Sequence, residues 1–279
     1  MDCLDGLEKL GLKDLEGMGL YEGATQKVEA APVKKAASTD KSDEASMLFR
    51  KSCTCVICDK QFKALTVKSG KARLVDADRD LRPHYADIEP LKYDVISCPY
   101  CGFSAVSRFF VPMAPSQKKN IVEKICSKVT PFEDDKDVYT YEDAMDRYKL
   151  ALVNSVVKVS KSSEKAFTCL KAGWLIRSYV EELGGIRTPK VVALLDEEDK
   201  YMRNAYDGFV RAVANEPFPI CGMDEQTVNY LLGVLAMRYG DYTVSKKLIS
   251  TVLTSKNSSN RLKDKALLIK DELLQIKQI

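Results

Sequence analysis

Cys55-Val56-Ile57-Cys58, answered after 39 intervening residues by Cys98-Pro99-Tyr100-Cys101-Gly102, decides how this chain is read. A CxxC turn folds two thiolates onto one side of a knuckle, and a second knuckle brought opposite completes the tetrahedral S4 shell that zinc prefers. The small or turn-forming residue after each pair, Asp59 and Gly102, suits a tight turn whose backbone amides point at sulfur. Four thiolates fill the coordination sphere and leave no open position for water or substrate, so the expected role of Cys55, Cys58, Cys98 and Cys101 is structural. The same four sulfurs suit rubredoxin-type iron or an iron-sulfur cluster; zinc is preferred, and the spacing leaves iron open. A thioredoxin-like redox pair would follow a strand and open a helix, a setting neither motif has. Cys53 reads as a spare thiol, and Cys3, Cys126, Cys169 and Cys221 as scattered small hydrophobes.

Around the knuckles, residues 47–115 are rich in β-branched and aromatic residues broken by Gly, Pro and Asp, with strands predicted over 61–68, 72–76 and 92–98 and a hairpin turn at Ser69-Gly70. From residue 116 to 279 the pattern becomes helical. Met145, Tyr148, Leu152, Val156 and Val159 step by three or four behind Thr140 as a cap, and further helices are predicted over 163–183, 188–214, 224–238, 242–254 and 261–276. Leu232-Gly233, then Gly240-Asp241-Tyr242, then Ser245 and Ile249 match the tetratricopeptide (TPR) spacing, in which small residues let two helices of a hairpin approach. A plain helical bundle would use the same stripes as core. The expected fold is therefore α+β, a small β-rich zinc-ribbon-like module followed by an all-α TPR-like domain.

The amino-terminal 22 residues carry leucines at roughly helical spacing interrupted by Gly6, Gly11, Gly17 and Gly19, a short amphipathic helix that forms by docking in cis or in trans, or else a frayed tail. Residues 23–46 hold no aromatic residue and are read as a disordered linker.

Composition removes several functions. A single histidine, His84, excludes histidine-rich zinc enzymes and Cys2His2 fingers, and a serine triad would have to use that residue. The net charge of +3 gives no strong field for phosphate binding. No apolar run approaches the ~20 residues of a bilayer span, and the acidic amino terminus is unlike a secretory leader, which places the chain in the cytoplasm with reduced thiols and no membrane partner.

The chain resembles a bacterial family of uncharacterised proteins, domain-of-unknown-function family 2225, which joins a double-CxxC module to TPR-like helices. The resemblance runs from Phe49 to the carboxyl terminus and rests on Cys55-x-x-Cys58-x-x-x-Phe62, Tyr85, Pro90, Tyr93-Asp94-Val95, Cys98-Pro99-Tyr100-Cys101-Gly102-Phe103-Ser104-Ala105, Trp174-x-x-Arg177, Tyr230-Leu231-Leu232-Gly233 and Gly240-Asp241-Tyr242. Where the family has Cys-Pro, this chain has Cys55-Val56, which leaves the ligands untouched. The resemblance supports the architecture and the metal site and implies no activity.

The leading functional expectation is a protein-interaction or scaffold protein whose helical groove takes a protein or peptide partner through Trp174, Arg177, Tyr230 and Arg238. His84, Tyr85 and Tyr93 are expected near the metal or lining a groove. The alternative is a nucleic-acid-binding zinc ribbon using Lys60, Lys63, Lys68, Lys71 and Arg73. An enzyme with a site between module and helices has only His84 to offer, and no catalytic residue is assigned. Chelation is expected to unfold 51–115 while sparing the helices.

Overall fold

The computed structural model describes residues 3–21, 44–132 and 134–276; the predicted linker lies outside them, except for residues 44–46. Among the described residues six short strands form three separate antiparallel pairs: β1 (Leu48–Thr54) with β2 (Gln61–Val67), β3 (Leu74–Ala77) with β4 (Pro83–Tyr85), and β5 (Val95–Ser97) with β6 (Ser104–Val106). The α+β expectation holds. The pairing differs from the predicted one, because Ser69-Gly70 turns the chain without joining paired strands. Instead Thr54 faces Gln61 and Ser97 faces Ser104, so each CxxC knuckle is itself the loop of a hairpin. β1 escapes sequence reading because most of its residues face solvent, whereas β2 turns Phe62, Ala64 and Leu65 inward.

Among the described residues seven α-helices follow: α1 (Pro115–Ile121), continued by a π-turn to Cys126, then α2 (Tyr141–Val157), α3 (Ser162–Glu182), α4 (Pro189–Asn215), α5 (Glu225–Arg238), α6 (Tyr242–Thr254) and α7 (Asn260–Ile276). Side-chain caps set the starts of α2, α4, α5 and α6. Thr140 accepts from the Asp143 amide at 3.1 Å while Asp143 reaches back to the Thr140 amide at 3.0 Å, and Thr188, Asp224 and Asp241 cap α4, α5 and α6. Consecutive helices pack on one another, α3 with α4, α5 with α6 and α6 with α7. At the α5–α6 crossing a Cβ on Gly233 would stand 2.9 Å from Ile249 Cδ1, and Gly240 closes α5 with φ +77°, as the spacing of small residues predicts.

The change in sequence texture at residue 115 is not a boundary in the core. Phe103, Ala105 and Val106 of the second hairpin are buried in the same apolar cluster as Tyr148 and Leu152 of α2 and Leu170 of α3. A second cluster, with Tyr230, Ile249, Val252, Leu262, Ala266 and Ile269, holds α5, α6 and α7 together. Residues 3–21 form two short 3-10 turns in place of an amphipathic helix, and they lie on the helical body with Leu4, Leu7 and Leu12 fully buried. Left-handed glycines at Gly6 and Gly11 end the first turn on both sides and prevent a continuous helix.

Candidate metal centre

The two knuckles have the same backbone plan. In the first, the Asp59 amide donates to Cys55 O at 3.0 Å and the Cys55 amide to Lys60 O at 3.0 Å; in the second, Gly102 donates to Cys98 O at 3.0 Å and Cys98 to Phe103 O at 2.8 Å. Both turns need a left-handed residue at the fifth position, Asp59 at φ 59° and Gly102 at φ 73°. Each turn leaves two cysteines on one side, and the hairpin tips meet so that all four Sγ atoms lie within 4.8 Å of one another. Cys55 Sγ is 3.6 Å from Cys101 Sγ, and Cys58 Sγ is 3.7 Å from Cys98 Sγ. A tetrahedron of thiolates at ~2.3 Å from a central ion has edges of ~3.8 Å, so the four sulfurs can close around a metal without backbone movement.

The surroundings support thiolate charge. The Ile57 amide donates to Cys55 Sγ at 3.4 Å, and the amides of Tyr100 and Cys101 aim at Cys98. Hydrogen bonds from the Cys101 and Cys98 thiols hold Cys55 down to about 2, while Cys101 is pushed far up by its thiol contacts with Cys126, Cys55 and Cys98 and by burial. A divalent cation among the four sulfurs would favour the thiolate form of each. Beneath it, Phe103 packs on Phe110 with ring centres 5.1 Å apart and Phe110 on Phe62 at 6.1 Å, and Lys60 lies 4.9 Å above the Tyr100 ring, tying one knuckle to the other.

The helical body holds the second knuckle. Asn154 of α2 donates to Gly102 O at 3.2 Å, and the Phe132 amide donates to Pro99 O at 3.1 Å. Space at Gly102 is closed as well, since a Cβ there would stand 2.7 Å from Val129 Cγ1. Gly102→Ala is therefore expected to destabilise the protein by about 2–3 kcal/mol, combining left-handed strain with overpacking. Asp59→Gly, at the equivalent exposed position of the first knuckle, should change stability by less than about 1 kcal/mol. Thermal unfolding of both variants checks the pair, and an equal effect would contradict it.

A fifth thiol, Cys126, touches Cys101 from the end of the π-turn. Sequence spacing gave no sign of it, because its approach depends on how residues 122–132 wrap the knuckle. Cys53, on β1 opposite Phe62, stays outside the four-sulfur set.

The other residues singled out from sequence go elsewhere. His84 Nε2 meets Asp78 at 2.6 Å and Arg82 at 3.2 Å, an ionic cluster apart from the cysteines. Tyr85 and Tyr93 line a cleft of about 370 Å³ between β2 and α3, with the Tyr93 hydroxyl committed to Glu44 at 2.7 Å. Trp174 and Tyr230, expected to meet a partner, are buried at 7% and 1% exposure, Trp174 in the wall of the same cleft. Trp174 donates to Asp80 at 3.2 Å, and Tyr230 packs within the α5–α7 cluster. Arg177 bridges Asp78 and Asp80 to Glu198, and Arg238 completes the bridge from Glu198 to Asp199. These side chains hold the β3–β4 hairpin onto α3, α4 and α5. The same hairpin reaches α7, where Lys265 donates to Ala77 O at 3.0 Å and Arg79 pairs with Glu272.

Fold and site together define an α+β protein with two cysteine knuckles, able to hold a metal ion, built into a helical array. The profile of a family described as uncharacterized proteins conserved in bacteria, DUF2225, matches residues 48–273, and the chain belongs to that family. No curated protein and no solved structure matches it.

Proposed function

We propose that this is a cytoplasmic protein-interaction protein, in which a structural zinc ion staples a zinc-ribbon-like pair of hairpins and a TPR-like helical array presents surfaces to protein segments. The four-sulfur shell supports a structural metal, because a closed set of thiolates leaves no position for water or substrate. No long helix among the described residues is apolar enough to cross a membrane, in keeping with this reading.

One observation carries the interaction reading: the outer face of α7. Leu267, Leu268 and Leu274 are 47%, 64% and 51% exposed, while Leu262, Ala266, Ile269 and Leu273 fill the core on the opposite side. Three exposed leucines, two of them seven residues apart, make an apolar stripe suited to a partner helix or a second copy.

A photoreactive residue placed at Leu268 should give discrete protein adducts in cells, and the same residue at the exposed Lys247 of α6 should give none. Leu267→Glu combined with Leu274→Glu should remove the adducts while leaving thermal stability within about 1 kcal/mol. Absence of adducts at Leu268, or their persistence in the double variant, would sink the reading. Elemental analysis of protein purified without added metal is expected to return one zinc per chain, and iron in its place would move the cluster to electron transfer.

A further inference from the structure

Residues 3–21 are held on the body in the manner of a bound peptide. Among the described residues every backbone–backbone hydrogen bond this segment makes is internal: Gly11 to Glu8, Leu12 to Leu7, Leu15 to Leu12 and Glu16 to Lys13. Its attachments to the body are made by side chains. Leu4, Leu7 and Leu12 are fully buried and Leu15 and Leu20 nearly so, in a cluster with residues of α2, α3 and α4. On α4 the receiving surface is a single stripe, Tyr201, Asn204, Gly208 and Arg211, spaced by three and four. Tyr201 donates to Cys3 O at 3.3 Å and Asn204 to Cys3 Sγ at 3.1 Å, and Lys165 of α3 donates to Leu20 O at 2.9 Å.

The last aromatic residue of the segment fits a slot. A Cβ on Gly208 would stand 2.0 Å from the Tyr21 hydroxyl, so the ring occupies the space that only glycine leaves, with Lys165 and Arg211 at 5.0 Å and 5.6 Å from its centre. Among the described residues the buried Tyr21 hydroxyl meets no hydrogen-bond partner. An orphaned hydroxyl marks an imperfect fit for this occupant and costs affinity. The groove lies in the part of the chain matched to the family, residues 48–273, whereas its occupant lies outside that match.

We infer that the α2–α4 groove is a receptor for a leucine-rich segment ending in an aromatic residue, and that residues 3–21 are a tethered, displaceable occupant of it. A partner segment of the same chemistry enters by exchange with the strap, and its affinity is reduced by the local concentration of the tethered copy, of millimolar order. The inference rests on reading the helical array as a surface for protein segments, but on a groove separate from α7.

The test uses the full chain with a protease recognition sequence replacing residues 30–36, cut after purification, and a fluorescent synthetic peptide of residues 3–21. The nicked protein should exchange its strap for the peptide with saturable binding, and the uncut protein should bind at least about tenfold more weakly. A peptide carrying Leu7→Asp should lose about 10- to 100-fold in affinity, the loss expected for one buried leucine. A strap that stays bound for hours against a large peptide excess, equal binding by nicked and uncut protein, or equal binding by the Leu7→Asp peptide each overturns the inference. Those outcomes leave the α7 crosslinks untouched, so failure here is distinct from failure of the interaction reading.

Discussion

Removing the metal with a chelator, or replacing Cys98 by serine, should collapse both hairpins and loosen α2 while α5, α6 and α7 keep their protection. The expected loss is large, since a structural zinc site contributes on the order of 10 kcal/mol of apparent folding energy, comparable with the whole stability of an ordinary domain. Each hairpin has only two strands, too few to persist without the ion. Sequence texture suggests that the damage stops at residue 115. The shared core argues otherwise, because Phe103, Ala105 and Val106 are packed with α2 and Asn154 of α2 is bonded to Gly102 O in the second knuckle. Hydrogen exchange read by mass spectrometry should show protection lost over residues 48–106 and weakened over 141–157, with the separate cluster around Tyr230, Ile249 and Ile269 retained. Unchanged exchange in β5, β6 and α2 after complete metal removal would refute this account. Cys53→Ser and Cys126→Ser serve as controls: neither belongs to the four-sulfur set, so bound metal should remain at one ion per chain.

The metal site was legible because its information is local. Two CxxC motifs specify their own turns, and only their meeting requires the fold. The helices were legible for a similar reason: α3 to α7 each begin and end within a few residues of where periodicity and caps place them, as with Asp224 before α5 and Gly240 after it. What escaped is non-local. β1, with Phe49, Lys51 and Ser52 toward solvent, has little apolar alternation, and its partner is fixed by the knuckle rather than by Ser69-Gly70. Trp174, Arg177 and Arg238 look like surface recognition residues in a one-dimensional reading, since an aromatic and two arginines on helices suit a partner. Their partners are acids: Asp80, close to a hundred residues upstream in a polar turn, and Glu198 on the neighbouring helix. No periodicity in either segment announces that pairing. The leucines of residues 3–21 recur at roughly helical spacing, but left-handed glycines break the helix that this spacing suggests, and only the fold shows that Leu4, Leu7 and Leu12 are buried.

Glu198 should be the costliest residue to lose outside the metal site. It is 4% exposed and lies between two guanidinium groups, with Arg177 at 2.7 Å and Arg238 at 2.5 Å. Through Arg177 it is joined to Asp80, and Arg82, at 1% exposure, ties Asp78 and Glu181 into the same network. Glu198→Ala leaves two desolvated arginines short of an acceptor, which costs about 3–5 kcal/mol and should lower Tm by roughly 10 °C. Glu198→Gln keeps the shape and one acceptor and should cost less. The pH dependence separates charge from packing. Burial works against ionisation of Glu198, but hydrogen bonds and charge from Arg238 and Arg177 overcome it and hold the carboxyl below its ordinary value. A carboxyl depressed in the folded state contributes its stability above the unfolded pKa and loses it as pH falls through the folded one. The Tm gap between the parent protein and Glu198→Gln should therefore be widest above the ordinary glutamate range and close only as pH falls through the lowered pKa of the folded carboxyl. A gap independent of pH would mean that Glu198 acts through packing alone. Replacing Glu198, Arg177 and Asp80 together by apolar residues of similar volume, with Arg238 left paired to Asp199, should cost less than Glu198→Ala, since the penalty lies in leaving charges unpaired rather than in lacking the network. If the triple variant proves worse, the ionic bridge itself holds the β3–β4 hairpin in register on the helices, with the network specifying how the insert between the two knuckles is docked.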